Sequence, residues 1–215
     1  VQPVSFILTA LPDMSAINMV RTGMLAALCA VLSIVFCITL KESGKLFNKL
    51  FKNEYIRVAA GGALIAALTF ICGTGDYNGA GMDVIERAIS GRAVIYAFAL
   101  KIIFTSITME SGYKGGEIVP TLFIGATFGC IAGGVLGLNT GFSAAIGMIA
   151  TFCGMVNCPV ASIMLGIEVF GGHGIGFFAL ACAISYMLSG NFSLYNNQKI
   201  VISKIKNEVI NISAH

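Results

Sequence analysis

Apolar runs separated by short polar or glycine-rich breaks make up most of the chain. The pattern predicts seven apolar helices, over Thr22–Leu40, Val58–Gly73, Ala93–Met109, Ile118–Leu138, Phe142–Val156, Val160–Phe170 and Ile175–Leu188. A helix needs about 20 apolar residues to cross a bilayer. Several of these runs are shorter than that, so they cannot cross a membrane alone.

The breaks between the later runs are rich in Gly, Asn and Pro, as in Asn139–Gly141, Asn157–Pro159 and Gly171–Gly174. Irregular backbone at membrane depth is tolerated only where it is buried in protein or lines an aqueous cavity. Repeated interruption of apolar helices is therefore typical of a transporter or channel and not of a simple anchor.

Polar stretches flank the apolar runs. The lysine-rich segment Lys41–Tyr55 is predicted as an interfacial helix end on the cytoplasmic side, because cytoplasmic loops are enriched in Lys and Arg. The segment Gly73–Ser90 predicts a glycine-rich loop that leads into a short amphipathic helix. A short amphipathic tail is expected at about 199–215.

Composition places the chain in a membrane. It is 57% hydrophobic and 11% charged, whereas soluble domains carry about 25% charged residues. Between Glu117 and Lys199 the only charged residue is Glu168. The net charge of +3 comes without a basic stripe, which disfavours nucleic acid as a partner.

Neither a metal site nor an enzyme is indicated. The seven cysteines lie mostly within apolar runs and form no CxxC pair, so we interpret them as small core residues. His173 and His215 are too few and too far apart for a metal site, and His173 has no matching nucleophile. We predict no metal and no cofactor.

The strongest functional signal is the stretch Ser111–Leu138. A polar loop with Gly115 and Gly116 precedes Glu117, and Pro120 favours a helix start over Glu117–Pro120. The first N–H groups of a helix lack partners and lie at the positive end of its dipole. The amides of Gly116, Glu117 and Ile118 therefore predict an anion site at membrane depth.

Four glycines follow at every fourth position of the same run, at Gly125, Gly129, Gly133 and Gly137. Such spacing puts them on one helix face, where small residues let another backbone approach closely. We interpret this face as a packing seam.

The run GGEIVPTLFIGATFG resembles the G-x-F-x-P anion-binding signature of the CLC family of chloride channels and anion/proton exchangers. The similarity covers nearly the whole chain, in the family's order. It extends to GTGDYNGAG (Gly73–Gly81), FCGMVNCPVASIMLGIEVF (Phe152–Phe170) with Pro159 and Glu168, and SGNFSLYNNQ (Ser189–Gln198) with Tyr195.

The resemblance implies an all-α polytopic membrane bundle of tilted and broken helices, corresponding to the second half of an inverted repeat. The family's first-half motifs, G-S-G-I-P and G-[KR]-E-G-P, do not occur here. The resemblance therefore implies that the anion site is shared with an N-terminal half of the same protein. It also implies a homodimer, with Pro159–Phe170 and Ile175–Leu188 in its interface, in a bacterial inner membrane.

By the same resemblance, the transported ligand is chloride or another small anion, with protons as a possible second substrate. The amides of Glu117 and Ile118 would face the anion, and the Tyr195 hydroxyl would donate to it. Gly115 and Gly116 would permit its close approach, and Val119 and Pro120 complete the motif.

The chain departs from the chloride pattern at two positions. Ile118 replaces the usual aromatic residue, and Glu117 stands just before it. A fluoride-exporting branch of the family also carries a glutamate there, within G-G-E-V-T-P, but with a threonine where this chain has Val119. We favour chloride, because Val119 offers no hydroxyl, and keep the fluoride branch as an alternative. A non-transporting truncated membrane subunit is a further alternative.

Several residues also have purely structural interpretations. Glu117 could cap the helix; if it acts near the anion, it should turn away or be protonated, because its charge would repel the anion. Tyr195 could be an interfacial anchor. Lys101 is interpreted as structural, either snorkelling or paired with Glu110 or Glu117.

Overall fold

The computed structural model describes residues 6, 8, 11–195, 198–204 and 208–213; His215 lies outside this part of the chain. The described part is a helical bundle, which confirms the predicted class. Its elements are α1 (Ala16–Leu50), α2 (Glu54–Cys72), α3 (Met82–Ile89), α4 (Ala97–Glu110), α5 (Ile118–Val135), α6 (Thr140–Val156), α7 (Pro159–Phe170), a 3-10 turn (Gly172–Gly174), α8 (Ile175–Leu188), β1 (Lys199–Ile202) and β2 (Val209–Ser213).

The helix ends follow from local sequence. The side chains of Ser15, Asn53 and Asn139 accept hydrogen bonds from backbone N–H groups in the first turns of α1, α2 and α6. Gly73 ends α2 and Asn157 ends α6, both in the left-handed region. Glycine and asparagine adopt that conformation more readily than other residues.

Helix α1 is longer than the sequence predicted. The structure has one continuous helix of 35 residues, whose last turns are residues 41–50 of the lysine-rich segment. Glu42 pairs with Lys45 at 2.6 Å within them. Lysine and glutamate are good helix formers. The change from apolar to charged residues therefore marks a change of surroundings and not the end of the helix.

Helices α5 and α6 form the centre of the bundle. Every residue of α6 from Gly141 to Val156 is buried. A helix that is apolar on all sides packs inside a larger structure. Phe123 of α5 and Phe142 and Ile149 of α6 are among the fully buried side chains of the core.

The glycine seam joins these two helices. A Cβ at Gly125 would lie 2.5 Å from the Gly147 carbonyl oxygen, and one at Gly129 would lie 2.4 Å from the Ser143 carbonyl oxygen. Gly133 faces the Ser143 side chain. Gly137 does not belong to the seam: it follows α5 with φ +72° and accepts a 3.1 Å hydrogen bond from Arg21. The seam prediction is therefore correct for the three glycines within α5.

Three helices, α1, α2 and α5, are long and apolar enough to cross a membrane by length and composition. Helices α6, α7 and α8 are apolar but shorter. The mixture of long and short apolar helices agrees with the predicted broken bundle.

The cysteines are free thiols, and five of the seven are buried, which confirms their interpretation as core residues. In the described part of the tail, β1 and β2 pair antiparallel. Exposed and partly buried residues alternate along β2, so this strand is amphipathic.

Candidate anion site

The start of α5 lies where the sequence predicted it. Ile118 is the first helical residue, Glu117 precedes it, and Pro120 lies in the first turn. Within the described residues, the backbone N–H groups of Gly116, Glu117 and Ile118 donate to no partner. The positive end of the helix dipole is thus free to receive an anion.

A cavity of about 660 Å³ opens beside this helix end, between α2, α4 and the loop before α3. Gly115, Gly116, Val119 and Pro120 line it. Of the other predicted site residues, Glu117, Ile118 and Tyr195 are not among its lining residues. The structure therefore brings four of the seven together around one space.

The chain itself gives no reason for two glycines at this place. A Cβ at Gly116 would meet nothing within 4 Å, and one at Gly115 would make an ordinary 3.5 Å contact with Met109. Neither glycine has a positive φ. Because these residues lack side chains, a ligand or a polypeptide segment outside the described residues has room to approach the backbone here.

The Glu117 side chain makes no capping hydrogen bond, so the capping interpretation is not supported. Its backbone oxygen instead accepts a 2.8 Å hydrogen bond from the hydroxyl of Thr121, which is fully buried. Glu117 is not among the residues that line the cavity. That its carboxylate turns away from an anion, or is protonated, stays a prediction.

Lys101 of α4 is buried, with only 2% of its surface exposed, and it lines the same cavity. Its ammonium donates to the carbonyl oxygens of Tyr77 at 3.1 Å and Gly79 at 2.6 Å. Of the two structural alternatives for Lys101, the pairing with Glu110 or Glu117 is therefore wrong: among the described residues, Lys101 forms no ion pair. Backbone carbonyls of the glycine-rich loop lie closer to the ammonium than either carboxylate.

The loop that carries Tyr195 is anchored to the end of α6. The backbone N–H of Leu194 donates to the Met155 carbonyl at 3.0 Å, and the Gln198 side chain donates to the Val156 carbonyl at 3.3 Å. The Gln198 side-chain oxygen accepts from the Ser193 hydroxyl at 2.7 Å. We call Ser193, Gln198 and the α6 carbonyls the loop clamp.

Lys204 extends this clamp, since its ammonium donates to Asn157 and to Ser189. Burial lowers the pKa of Lys204 from its ordinary value of 10.5 to about 8. Between these pH values the unfolded chain binds more protons than the folded chain. Rising pH therefore relieves the cost of burying this charge and favours the docked tail.

The clamp predicts a local effect of Gln198→Ala. The variant should release the loop, because the Val156 carbonyl loses its side-chain donor, at about 1–3 kcal/mol for a buried group left unpaired. The Ser193 hydroxyl loses the Gln198 oxygen but keeps the Met155 carbonyl as an acceptor at 3.3 Å. Hydrogen exchange of the Leu194 amide should become at least tenfold faster while amides in α5 stay protected. Asn191→Ala, in the same loop but outside the clamp, is the control. Unchanged exchange at Leu194 would show that the clamp does not hold the loop.

Sequence reasoning missed Lys101 as a cavity residue and Gln198 as a clamp residue. A lysine inside an apolar run was a usable signal, because ionisable residues at membrane depth are often functional. The role of Gln198 had no comparable signal, since it depends on tertiary contact with the end of α6.

The fold defines a polytopic membrane protein of long and short apolar helices, with free backbone amides at the start of α5. A family model described as "Voltage gated chloride channel" matches residues 2–190. This chain belongs to that family, the CLC channels and transporters.

Individual relatives are similar over most of this chain. A "Chloride/fluoride channel protein" of Pseudomonas syringae pv. tomato is 31% identical over 196 residues, which are 88% of this chain and 43% of the relative. An "H(+)/Cl(-) exchange transporter ClcA" of Vibrio cholerae is 26% identical over 175 residues, 75% of this chain and 37% of the relative. The chain thus spans less than half the length of these curated relatives.

A solved structure has the same fold. The crystal structure of a CLC-type fluoride/proton antiporter superimposes with a TM-score of 0.84 at 26% identity. The match covers 89% of this chain and 49% of that one.

Proposed function

We propose that this chain supplies one half of the anion path of a CLC-type membrane transporter or channel. The observation that carries the proposal is the start of α5: free amides, a pair of glycines with open space before them, and a cavity beside them. None of the described residues that line this cavity is an aspartate or a glutamate. An anion there meets donors and no opposing carboxylate.

In this mechanism the protein replaces water around the anion. Backbone amides at the positive end of α5, including those of Glu117 and Ile118, take over hydrogen bonds that water provided. The Tyr195 hydroxyl, held by the loop clamp, adds a further donor. The dehydrated anion then passes between the two halves, and protons are the candidate counter-substrate.

The remainder of the path belongs to partners in this proposal. An N-terminal half of inverted topology contributes the other donors and the gate, since this chain matches only 43% and 37% of two relatives. Two complete subunits form a homodimer through surfaces that include α7 and α8. The assembly lies in a bacterial inner membrane.

Chloride is the first candidate for the transported anion. Val119 lines the cavity and offers methyl groups where the fluoride branch has a hydroxyl. The neighbouring hydroxyl of Thr121 is buried and donates to the Glu117 carbonyl instead. Fluoride holds its water more tightly than chloride, so a site with fewer donors favours chloride.

Fluoride is the second candidate, and two observations favour it. Glu117 is shared with the fluoride-exporting pattern described above. The printed names of one relative and of the solved structure also include fluoride.

Halide efflux from proteoliposomes tests the proposal. We expect the polypeptide that carries both halves to release chloride faster than fluoride, while this chain alone releases neither above the protein-free rate. Faster fluoride release would assign the protein to the fluoride branch. Selective release by this chain alone would refute the shared path, and no release by the complete polypeptide would refute the function.

Val119→Thr sharpens the choice of anion. The new hydroxyl at the cavity should raise the ratio of fluoride to chloride flux, by about fivefold if it contributes one hydrogen bond of about 1 kcal/mol. Val135→Thr is the matched control, because Val135 lies at the far end of the same helix and is 85% exposed. An unchanged ratio in Val119→Thr would show that this position does not select the halide.

A further inference from the structure

We infer that Lys101 is an anion-binding residue whose buried ammonium takes the transported halide as its counter-ion. The inference rests on the proposed function and deepens it. It adds a fixed positive charge to a site described so far by backbone amides and one hydroxyl.

Burial and incomplete pairing set Lys101 apart from the other lysines. Its surface is 2% exposed, and two backbone carbonyls are its hydrogen-bond acceptors among the described residues. An ammonium has three N–H donors, so one remains after these two bonds. The Phe123 ring, whose centroid lies 4.9 Å from the Lys101 nitrogen, gives only a partial counter-charge.

Nearby carboxylates are engaged or face elsewhere. Asp76, within the glycine-rich loop that receives Lys101, pairs with Arg87 at 2.6 Å. Glu110 and Glu117 are not among the residues lining the cavity. The ammonium is therefore a buried charge without a neutralising side chain in the described part of the chain.

Such a charge is costly unless something compensates it. Ionisable residues at membrane depth are rare for this reason, and they mark ion paths more often than surface lysines do. Two carbonyl dipoles reduce the cost but do not cancel a full charge. A mobile anion is the compensating partner that fits a protein of this family.

The cavity places this charge where an anion could reach it. Lys101 lines the same space as Gly115 and Gly116. Thr105 and Thr108 of α4, whose side chains carry hydroxyl groups, also line it. An anion in this space has donors from the α5 terminus and attraction from the ammonium. Two lysines line the cavity, the buried Lys101 and the exposed Lys114. The ligand class is a small monovalent anion, since a single buried positive charge suits a halide.

A structural role for Lys101 would explain its two hydrogen bonds equally well, but it would not explain why the ammonium lacks a negatively charged partner among the described residues. Lys101 could simply tie the glycine-rich loop to α4 through the carbonyls of Tyr77 and Gly79. Substitutions of Lys101 can separate its charge from its hydrogen bonds to the loop. Glutamine keeps N–H donors but has no charge, whereas arginine keeps both the donors and the charge.

The test is thermal unfolding of the polypeptide that carries both halves, in sodium chloride and in sodium gluconate at equal ionic strength. A ligand that binds the folded state raises the unfolding midpoint, and the stabilisation grows with the logarithm of its concentration divided by its dissociation constant. We expect Lys101→Met to raise the apparent chloride dissociation constant at least tenfold. In gluconate this variant should unfold at or above the wild-type temperature, because an uncompensated buried charge has been removed.

Control variants separate the outcomes. Lys101→Arg should keep the chloride response within about threefold, and Lys101→Gln should lose it. Lys45→Met, which removes the same charge from an exposed site, should respond like wild type. If Lys101→Met and Lys101→Gln unfold early in both salts, or keep the wild-type chloride response, the inference is wrong. If the wild-type protein responds to neither chloride nor fluoride, the proposed function fails, and this inference fails with it.

Discussion

Replacement of Gly147 by valine is expected to prevent α5 and α6 from packing and so to abolish the folded bundle. A Cβ at this position would lie 2.4 Å from the Gly125 carbonyl oxygen and 2.6 Å from the Gly129 Cα. Both are backbone atoms of a helix, so no side-chain rotation can relieve the overlap. The two helices would have to separate along the seam.

The expected loss of stability follows from the position of this contact at the centre of the bundle. Added volume in a packed core costs about 1–3 kcal/mol where side chains can adjust, and more where they cannot. Because backbone atoms of two central helices would overlap, the loss should exceed about 3 kcal/mol and become comparable with the total stability of about 5–15 kcal/mol. Size-exclusion profiles and unfolding midpoints in mild detergent should show aggregated or unfolded protein.

Gly134→Ala, near the end of the partner helix α5, is the control. Its Cβ would meet the Thr140 side-chain methyl at 3.2 Å, a contact that a small side-chain movement relieves. Alanine is also favoured over glycine within a helix by about 1 kcal/mol. This variant should be as stable as wild type. A stable Gly147→Val protein would show that the backbones of α5 and α6 do not approach as closely as described.

This seam illustrates how much of the fold is readable in the sequence. The four-residue spacing of Gly125, Gly129 and Gly133 predicts a helix face for close packing, and that face exists. The spacing could not identify α6 as the partner, because that contact depends on Gly147, which does not belong to a four-residue glycine repeat. It also included Gly137, since spacing alone does not show where α5 ends.

The same limit applies to the candidate site. The proline and glycines before α5 predict its start correctly, because helix starts depend on local backbone chemistry. The surroundings of that start come from elements distant in sequence. Lys101 enters the cavity from α4, and the carbonyls that hold it belong to the loop before α3. Such contacts require the tertiary structure.

Gly116→Val is expected to stop halide transport while leaving this chain folded. The new side chain would enter space in which a Cβ meets nothing within 4 Å, at a residue whose φ suits any amino acid. The free energy of unfolding should therefore change by no more than about 0.5 kcal/mol, as for other substitutions that disturb no packing. Chloride efflux should fall at least tenfold, because the isopropyl group would occupy the approach to the free amides.

Gly172→Val is the control for this substitution, since its Cβ also meets nothing within 4 Å and it lies in the turn before α8, away from the cavity. It should transport at the wild-type rate.

Co-purification of the two halves, expressed as separate chains, distinguishes two reasons for lost transport in Gly116→Val. If Gly116→Val assembles with the upstream half but carries no chloride, the glycine reserves space for the anion. If assembly itself fails, the space holds protein, and the approach of the anion must be sought elsewhere along the cavity. Normal transport by an assembled Gly116→Val protein would remove the start of α5 from the anion path altogether.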